Sequence, residues 1–205
     1  MDKNYTIVFP EKCCVEFRED IMPQPGANQV LIKTEITQIS TGTELTMLEA
    51  NVDPDSRWNN SLKFPVVPGY TNIGRIVQVG EGVDESYLGK RVLTGAPHTK
   101  YAVRTLNEEI IFIPDDVESE EAIFSQLSAV CMASIRVSDI RPGDTVAVFG
   151  AGLIGQLTAR LAKIAGSLNI FVTDVSDYRL SMLPDNPCFI PVNTIKEDIL
   201  DALDH

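Results

Sequence analysis

A short glycine-rich segment, GAGLIG (150–155), is the strongest chemical motif in the chain. It follows the apolar run TVAVF (145–149) and precedes a stretch with apolar residues at helical spacing, which predicts a strand–turn–helix unit. In such a unit Gly150 permits the tight turn, Gly152 lets the backbone approach a pyrophosphate, and Gly155 lets helix pack on strand. The motif therefore predicts a dinucleotide-binding site.

The residues after the turn indicate which dinucleotide would bind. Leu153 and Ile154 open the helix, where free N–H groups can hold a phosphate. Asp174 ends the next predicted strand, 19 residues after Gly155, and a carboxylate there accepts hydrogen bonds from ribose hydroxyls. Because it would repel a 2′-phosphate, NAD is favoured over NADP, although the nearby Arg179 keeps NADP open. The alternative is a glycine-rich turn beside a strand-end aspartate, with no ligand.

The elements that would position these residues differ between the two parts of the chain. Up to about residue 115, short runs rich in Val, Ile, Thr and aromatics alternate with Gly, Pro, Asn and Asp, which is typical of a small β-barrel or sandwich. The predicted strands are YTIVF (5–9), CCVEF (13–17), QVLIKTEI (29–36), GRIVQVG (74–80), KYAVR (100–104) and IIFI (110–113).

Strands and helices alternate after that point. The segment 117–140 predicts one helix that crosses between domains, and RPGD (141–144) a turn. Thr194 and Glu197 have capping-box spacing for a last helix. The pattern predicts an α/β domain with a parallel sheet, and we expect domains at 1–118 and 119–205. The further elements are strands at 145–149, 169–174 and 188–192, and helices at 150–166 and 176–183.

Composition excludes several kinds of partner. The 205 residues carry a formal net charge of −12, which disfavours nucleic acid and anionic membrane surfaces. No apolar run approaches the roughly 20 residues of a membrane span, and the first residues lack a secretory signal, so we expect the cytoplasm. The four cysteines show no metal-binding spacing, and one of the two histidines is His205. Cys131 is expected in the core.

Four stretches of the chain resemble the medium-chain dehydrogenase/reductase superfamily. The resemblance implies an α/β protein with a GroES-like β-barrel domain (an α+β N-terminal part), followed by a partial Rossmann fold with a doubly wound parallel sheet. It also implies a soluble oxidoreductase that acts on a small-molecule alcohol or carbonyl, and a possible homo-oligomer. The matching stretches are STGTEL (40–45), PGYTNIGRIVQVGEGV (68–83), GKRVLTGAPHTKYAV (89–103) and RPGDTVAVFGAGLIGQLTARLAKIAG (141–166).

Departures from the zinc-dependent members predict that zinc is absent. Where the resemblance places zinc ligands, this chain has Thr41, Tyr70 and a residue near Ser125; Thr71 replaces the glutamate that follows the ligand histidine. Hydroxyls cannot hold Zn²⁺ with useful affinity. The four-cysteine structural zinc lobe is missing as well. The pattern resembles a zinc-free branch similar to the bacteriochlorophyllide dehydrogenase-like subgroup.

Without zinc, side chains must handle the substrate oxygen. The resemblance implies a proton-relay hydroxyl at Thr43, a phenol directed into the cleft at Tyr70 and an imidazole at the pocket wall at His98, which could exchange a proton near neutral pH. Each residue also has a purely structural interpretation. Thr43 and Glu44 could order their loop, Tyr70 could be a packing residue, and His98 could be a turn residue that bonds to the backbone.

The functional hypothesis is an NAD-dependent, zinc-independent alcohol dehydrogenase-like oxidoreductase, or an N-terminal fragment of one. A dinucleotide fold has two βαβαβ halves, and only the first is recognisable, so we expect the chain alone to show no turnover. One alternative is a zinc-free enone or quinone reductase that uses NADPH. Another is a non-catalytic nucleotide-binding remnant.

Overall fold

A computed structural model describes residues 3–53, 55–56, 62–106 and 110–203. The chain divides into two compact units between Phe124 and Ser125, six residues beyond the expected position at 118. The first unit is built mainly from an antiparallel sheet and the second from a parallel sheet with helices, which confirms the predicted α/β fold class. No helix in the described part of the chain is both long and apolar enough to cross a membrane.

An antiparallel five-stranded sheet forms the centre of the first unit, in the strand order β6-β3-β4-β5-β7, and β1 and β2 pair separately. A helix, α1 (Thr41–Glu49), follows β3, and a short helix, α2 (Ser119–Ala122), precedes the unit boundary; a 3-10 turn spans Glu85–Tyr87. The strands are β1 (Asn4–Val8), β2 (Glu16–Asp20), β3 (Gln29–Thr37), β4 (Asn72–Val79), β5 (Arg91–Thr94), β6 (Tyr101–Thr105) and β7 (Ile110–Phe112).

Both faces of this sheet bury apolar side chains, as the mixed pattern of its central strands requires. On adjacent positions of β5, Val92 and Leu93 belong to two different clusters. A sheet that is packed on both faces is a rigid scaffold. Such a scaffold can fix the positions of side chains that lie on the loops between its strands. The clusters are Val30, Ile32, Ile76 and Val92 on one side, and Ile73, Leu93, Ile113 and Ile123 on the other.

The second unit is a three-stranded parallel sheet in the order β10-β9-β8. Its strands are β8 (Thr145–Phe149), β9 (Asn169–Asp174) and β10 (Phe189–Asn193), and its helices are α3 (Ser125–Val137), α4 (Leu153–Ala165), α5 (Asp177–Leu180) and α6 (Ile199–Leu203). The parallel pairing confirms the predicted β-α-β arrangement. Helix α4 buries Ala159 and Ala162 against Ile170 and Val172 of β9, and Gly166 ends it in the left-handed conformation, as expected for a C-cap.

Several local predictions differ from the structure. The predicted helix 117–140 is two helices, α2 and α3, because Ile123 packs into the core of the first unit while α3 belongs to the second. The strand predicted at 13–17 begins only at Glu16, since Cys13 has a positive φ of 58°. The structure also contains two elements that were not predicted, α1 and β5.

The predicted capping box at Thr194 and Glu197 is wrong. The chain forms turns there, and the carbonyl of Asn193 accepts from the N–H groups of Lys196 and Glu197. The last helix starts at Ile199 instead, where Asp198 Oδ1 accepts from the N–H of Leu200. Asn193 and Asp198 therefore organise this segment.

Candidate functional site

The glycine turn between β8 and α4 has a backbone that only glycine can form. Gly150 has a φ of +97°, and its N–H donates to Thr173 O of β9 at 2.8 Å. A Cβ on Gly155 would lie 1.8 Å from Gly150 O, so the first turn of α4 sits directly on the glycine turn. Both glycines are therefore required by geometry rather than by propensity.

Gly152 differs from both, because its backbone conformation is ordinary and no neighbouring atom excludes a side chain there. It is the N-cap residue of α4, with an ordinary φ of −69°, and a Cβ built on it would meet no atom within 4 Å. The helix that follows begins with Leu153 and Ile154, which are 41% and 46% exposed. The first N–H groups of an α-helix have no partner within the helix, and the helix dipole favours an anion there. This open N-terminus fits the phosphate site that the sequence predicts.

Asp174 is buried beside the turn, and its carboxylate already holds the backbone. Its Oδ2 accepts from the N–H of Ala151 at 2.8 Å, and its Oδ1 accepts from the N–H of Ser176 at 2.9 Å. These bonds, the first above all, hold the pKa of Asp174 below its ordinary value, and the guanidinium of Arg179, 3.6 Å away, acts in the same direction. The carboxylate is therefore a fixed negative group at the end of β9. Each oxygen can accept a further bond.

Gln156 is a polar residue of this site that the sequence analysis missed. It is buried at the end of the first turn of α4, and its Nε2 donates to Arg179 O at 2.9 Å and to Ala151 O at 3.3 Å. Its Oε1 accepts from Arg160 at 2.7 Å. Gln156 thus joins the glycine turn to the segment that carries Arg179. A glutamine within an otherwise apolar helix face was the available clue.

The first unit places the three predicted catalytic residues on three segments. Thr43 is half-buried in the first turn of α1 and lines a groove of about 440 Å³ with residues that include Thr46, Asn51 and Asp53. Tyr70 is half-buried and directly follows Gly69, which has a φ of +97°. His98 is 9% exposed on the connection between β5 and β6.

His98 links these segments through both ring nitrogens. Its Nδ1 lies 2.8 Å from Thr37 Oγ1, and its Nε2 lies 2.9 Å from Glu44 Oε2. Its backbone N–H donates to Pro68 O at 3.0 Å, and its carbonyl accepts from Ile7 N–H at 2.9 Å. Glu44 neighbours Thr43 and Pro68 lies two residues before Tyr70, so His98 connects the surroundings of both. Its ring leaves no nitrogen free for another partner.

The donor set does not fit a zinc ion. Thr41 and Ser125 are exposed hydroxyls, and Tyr70 offers a phenol, whereas Zn²⁺ binds thiolate and imidazole. The imidazole of His98 is committed to Thr37 and Glu44. Within residues 3–53, 55–56, 62–106 and 110–203, no three His, Cys, Asp or Glu side chains are grouped to hold a metal. His205 lies outside the described residues.

Comparison with known proteins agrees with this architecture. Residues 26–110 match the model of the alcohol dehydrogenase GroES-like domain. An alcohol dehydrogenase of Geobacillus stearothermophilus is 28% identical over 94% of this chain and 63% of its own length. The structure of 2R,3R-butanediol dehydrogenase from Bacillus subtilis has a TM-score of 0.81 and 23% identity, covering 98% of this chain and 66% of that one. An alcohol dehydrogenase from Escherichia coli CFT073 in complex with NADH has a TM-score of 0.79 and 20% identity, with 98% and 66% covered.

The fold of both units and these matches define a class. In sequence and in fold the chain resembles the medium-chain dehydrogenase/reductase superfamily, with a GroES-like domain match at residues 26–110 and a parallel α/β unit after it. It spans 63% of the length of the Geobacillus relative.

Proposed function

We propose that this chain carries the cofactor-binding turn and the substrate-handling residues of a nicotinamide-dependent, zinc-independent oxidoreductase. The reaction would transfer a hydride between the nicotinamide and an alcohol or carbonyl substrate. The observation that carries the proposal is the glycine turn, in which Gly150 is required by its φ of +97° and Gly155 by a close contact, while Gly152 has an ordinary φ and open space beside it. A turn of that form has room for a pyrophosphate where a side chain would otherwise stand.

Residues of the second unit would bind the cofactor through its adenosine half. The N–H groups at Gly152, Leu153 and Ile154 would donate to the pyrophosphate at the start of α4. The Asp174 carboxylate would accept from the ribose hydroxyls through the lone pairs that Ala151 and Ser176 leave free. The cofactor, when bound, supplies or accepts the hydride.

Residues of the first unit would handle the proton that accompanies hydride transfer. The hydroxyl of Thr43 and the phenol of Tyr70 are half-buried, and each can donate or accept a proton at a substrate oxygen. His98 would act indirectly, because both nitrogens of its ring are already bound to Thr37 and Glu44. The hydroxyl donors at Thr41, Tyr70 and Ser125 support the proposal of zinc independence, because Zn²⁺ binds thiolate and imidazole.

A second candidate, an NADPH-dependent reductase of enones or quinones, has one observation in its favour. The guanidinium of Arg179 is 58% exposed and only 3.6 Å from Asp174 Oδ2, so it could turn toward a 2′-phosphate. The fixed negative charge of Asp174 opposes that phosphate, because its hydrogen bonds to the backbone keep it ionised. NAD is therefore the favoured cofactor.

Calorimetric titration of the chain with NAD⁺ and NADP⁺ tests the proposal. We expect NAD⁺ to bind more tightly than NADP⁺, and Gly152→Val to weaken NAD⁺ binding by about tenfold or more, since a loss of about 1.4 kcal/mol has that effect. Ser138→Val, which places the same side chain at an exposed position of the second unit, is the matched control and should bind as the unaltered chain does. Equal binding by Gly152→Val, or tighter binding of NADP⁺, would contradict the proposal.

A further inference from the structure

The buried carboxylate of Glu44 is a polar feature of the first unit to which the proposed reaction gives no role. Glu44 is 6% exposed and lies in the first turn of α1, beside Thr43. Burying a carboxylate is costly unless its oxygens are paired. Both are: Oε1 accepts from the N–H of Ser40 at 2.8 Å, and Oε2 lies 2.9 Å from His98 Nε2.

One oxygen of this carboxylate caps the helix that carries Thr43. Ser40 is the N-cap residue of α1, but its own side chain makes no capping hydrogen bond. Glu44 reaches back to the Ser40 N–H instead, as the glutamate of a capping box does from one position earlier. Its negative charge is also favourable at this end of the helix. The first turn of α1 is therefore fixed by Glu44.

The other oxygen decides where the proton sits on the ring of His98. An ionised carboxylate can only accept, so Nε2 must carry a proton toward Glu44. In the neutral ring Nδ1 is then the acceptor, and it receives a hydrogen bond from the Thr37 hydroxyl at 2.8 Å. Glu44 thus selects the tautomer, in the way that a carboxylate orients the histidine of a catalytic triad.

The ring that Glu44 holds is packed against the segment that leads to Tyr70. A Cβ on Gly69 would lie 2.7 Å from the backbone nitrogen of His98 and 2.9 Å from two carbons of its ring. The backbone of Gly69 therefore rests directly on the imidazole, and Tyr70 is the next residue. A movement of the ring toward Gly69 would therefore displace that backbone.

We propose that Glu44 is the positioning residue of the site, acting through His98 to hold Thr43 and Tyr70 in a fixed arrangement. One carboxylate oxygen fixes α1 and the other fixes the imidazole against which the Tyr70 segment packs. The proposal rests on the proposed function for the reaction that the arrangement serves. The coupling itself is a property of the first unit.

Nitrogen-15 spectra of the imidazole rings test the coupling in the intact chain. The sequence has only two histidines, His98 and His205, so the His98 signals are assigned by their loss in His98→Asn. We expect His98 to carry its proton on Nε2. Glu44→Gln keeps an oxygen for the Ser40 N–H but turns an amide N–H₂ toward the ring, so Nε2 must become the acceptor. The proton should move to Nδ1.

Two further measurements separate positioning from simple packing. In Glu44→Gln we expect the backbone amide resonance of Tyr70 to shift, while hydrogen exchange at Ser40 stays slow because its cap is retained. In Glu44→Ala exchange at Ser40 should accelerate by about fivefold or more, as expected for the loss of a cap worth about 1 kcal/mol. Thr37→Val should leave the proton on Nε2. Glu49→Gln, an exposed residue at the other end of the same helix, is the matched control and should alter none of these signals.

The proposal would be overturned if Nε2 of His98 carried no proton in the unaltered chain. It would also be overturned if the backbone amide resonance of Tyr70 did not shift in Glu44→Gln. If Glu44→Ala does not fold, the near-isosteric Glu44→Gln still decides the outcome. Addition of NAD⁺ to the same samples reports separately on residues 150–155. Absence of NAD⁺ shifts there would remove the proposed reaction while leaving the coupling of Glu44 to Tyr70 measured.

Discussion

The glycine turn of the second unit and the histidine–glutamate pair of the first unit use polar groups in opposite ways. At the turn, Gly152 faces open space at the start of a helix whose first N–H groups lack intrahelical partners. At the pair, both ring nitrogens of His98 and both oxygens of Glu44 have partners within the protein. The turn therefore has room for a ligand, whereas the polar side-chain atoms of the pair are all hydrogen-bonded within the protein.

We propose that this difference separates a cofactor-binding site from a positioning site. A binding site leaves hydrogen-bonding capacity that a ligand can use, and it keeps side chains out of the ligand's space. A positioning site spends its hydrogen bonds internally and is buried, since unpaired buried polar groups are costly. The residue type alone does not make the distinction, because histidine and glutamate are common in both kinds of site.

The largest effect on stability is expected from Gly155→Ala. The new Cβ would lie 1.8 Å from Gly150 O. Neither the carbonyl of Gly150 nor the backbone of Gly155 can move away without disrupting the turn. We expect a loss of about 4 kcal/mol in the free energy of unfolding, at the upper end for single substitutions. Urea denaturation measures it. Gly152→Ala, in open space, should cost much less; equal losses would show that the turn is not as tight as described.

A smaller but clear effect is expected from Gly69→Ala. Here the substitution combines a φ of +97° with a contact of 2.7 Å to the backbone of His98. Together these should cost about 3 kcal/mol. The control is Gly42→Ala, since Gly42 is helical and has no atom within 4 Å of its Cβ position. That change should be neutral or stabilising by up to about 1 kcal/mol. The comparison fails if Gly69→Ala unfolds at the same urea concentration as the unaltered chain.

The smallest of these effects, and the one that depends on pH, is expected from Asp174→Asn. The folded state holds the pKa of Asp174 below its ordinary value of 3.8, mainly through the N–H of Ala151. The contribution of the ionised Asp174 to the free energy of unfolding is therefore complete above pH 3.8. It is lost as the pH falls through the lowered pKa of the folded state. In Asp174→Asn the side-chain N–H₂ would face one of the two backbone N–H donors, so one hydrogen bond is lost. At pH 7 this should lower the free energy of unfolding by about 1–3 kcal/mol.

Stability curves of the two chains between pH 7 and pH 2 measure this dependence. We expect the gap between them to be largest at neutral pH and to narrow below about pH 4. Asp185→Asn, at an exposed aspartate of the same unit, should show no such gap. A gap that widens in acid would mean that the pKa of Asp174 is raised rather than lowered.

The sequence predicted the second unit better than the first for a physical reason. Strands β8 and β9 and helix α4 are set by local features: continuous apolar runs, helical spacing and a glycine motif within a few residues. Helix α1 lacks a strong apolar stripe, and its cap comes from a glutamate one position later than the capping-box pattern allows, so local reading missed it.

Contacts between distant residues explain the rest. His98 and Glu44 are 54 positions apart, and nothing local to either indicates the other. The same holds for the break between α2 and α3, which depends on Ile123 packing into the core of the first unit. The residue types at Thr43, Tyr70 and His98 suggested proton chemistry, but their burial and partners require the folded chain.

The central claim is that residues 150–155 form an open site for the adenosine half of a nicotinamide cofactor. Titration of the ¹⁵N-labelled chain with ADP-ribose, followed by amide resonances, tests it most directly. We predict saturable shifts at Gly152, Leu153, Ile154 and the residues around Asp174, with the amides of Gly69 and His98 unchanged. Shifts centred on the first unit, or none at saturating ADP-ribose, would contradict the claim.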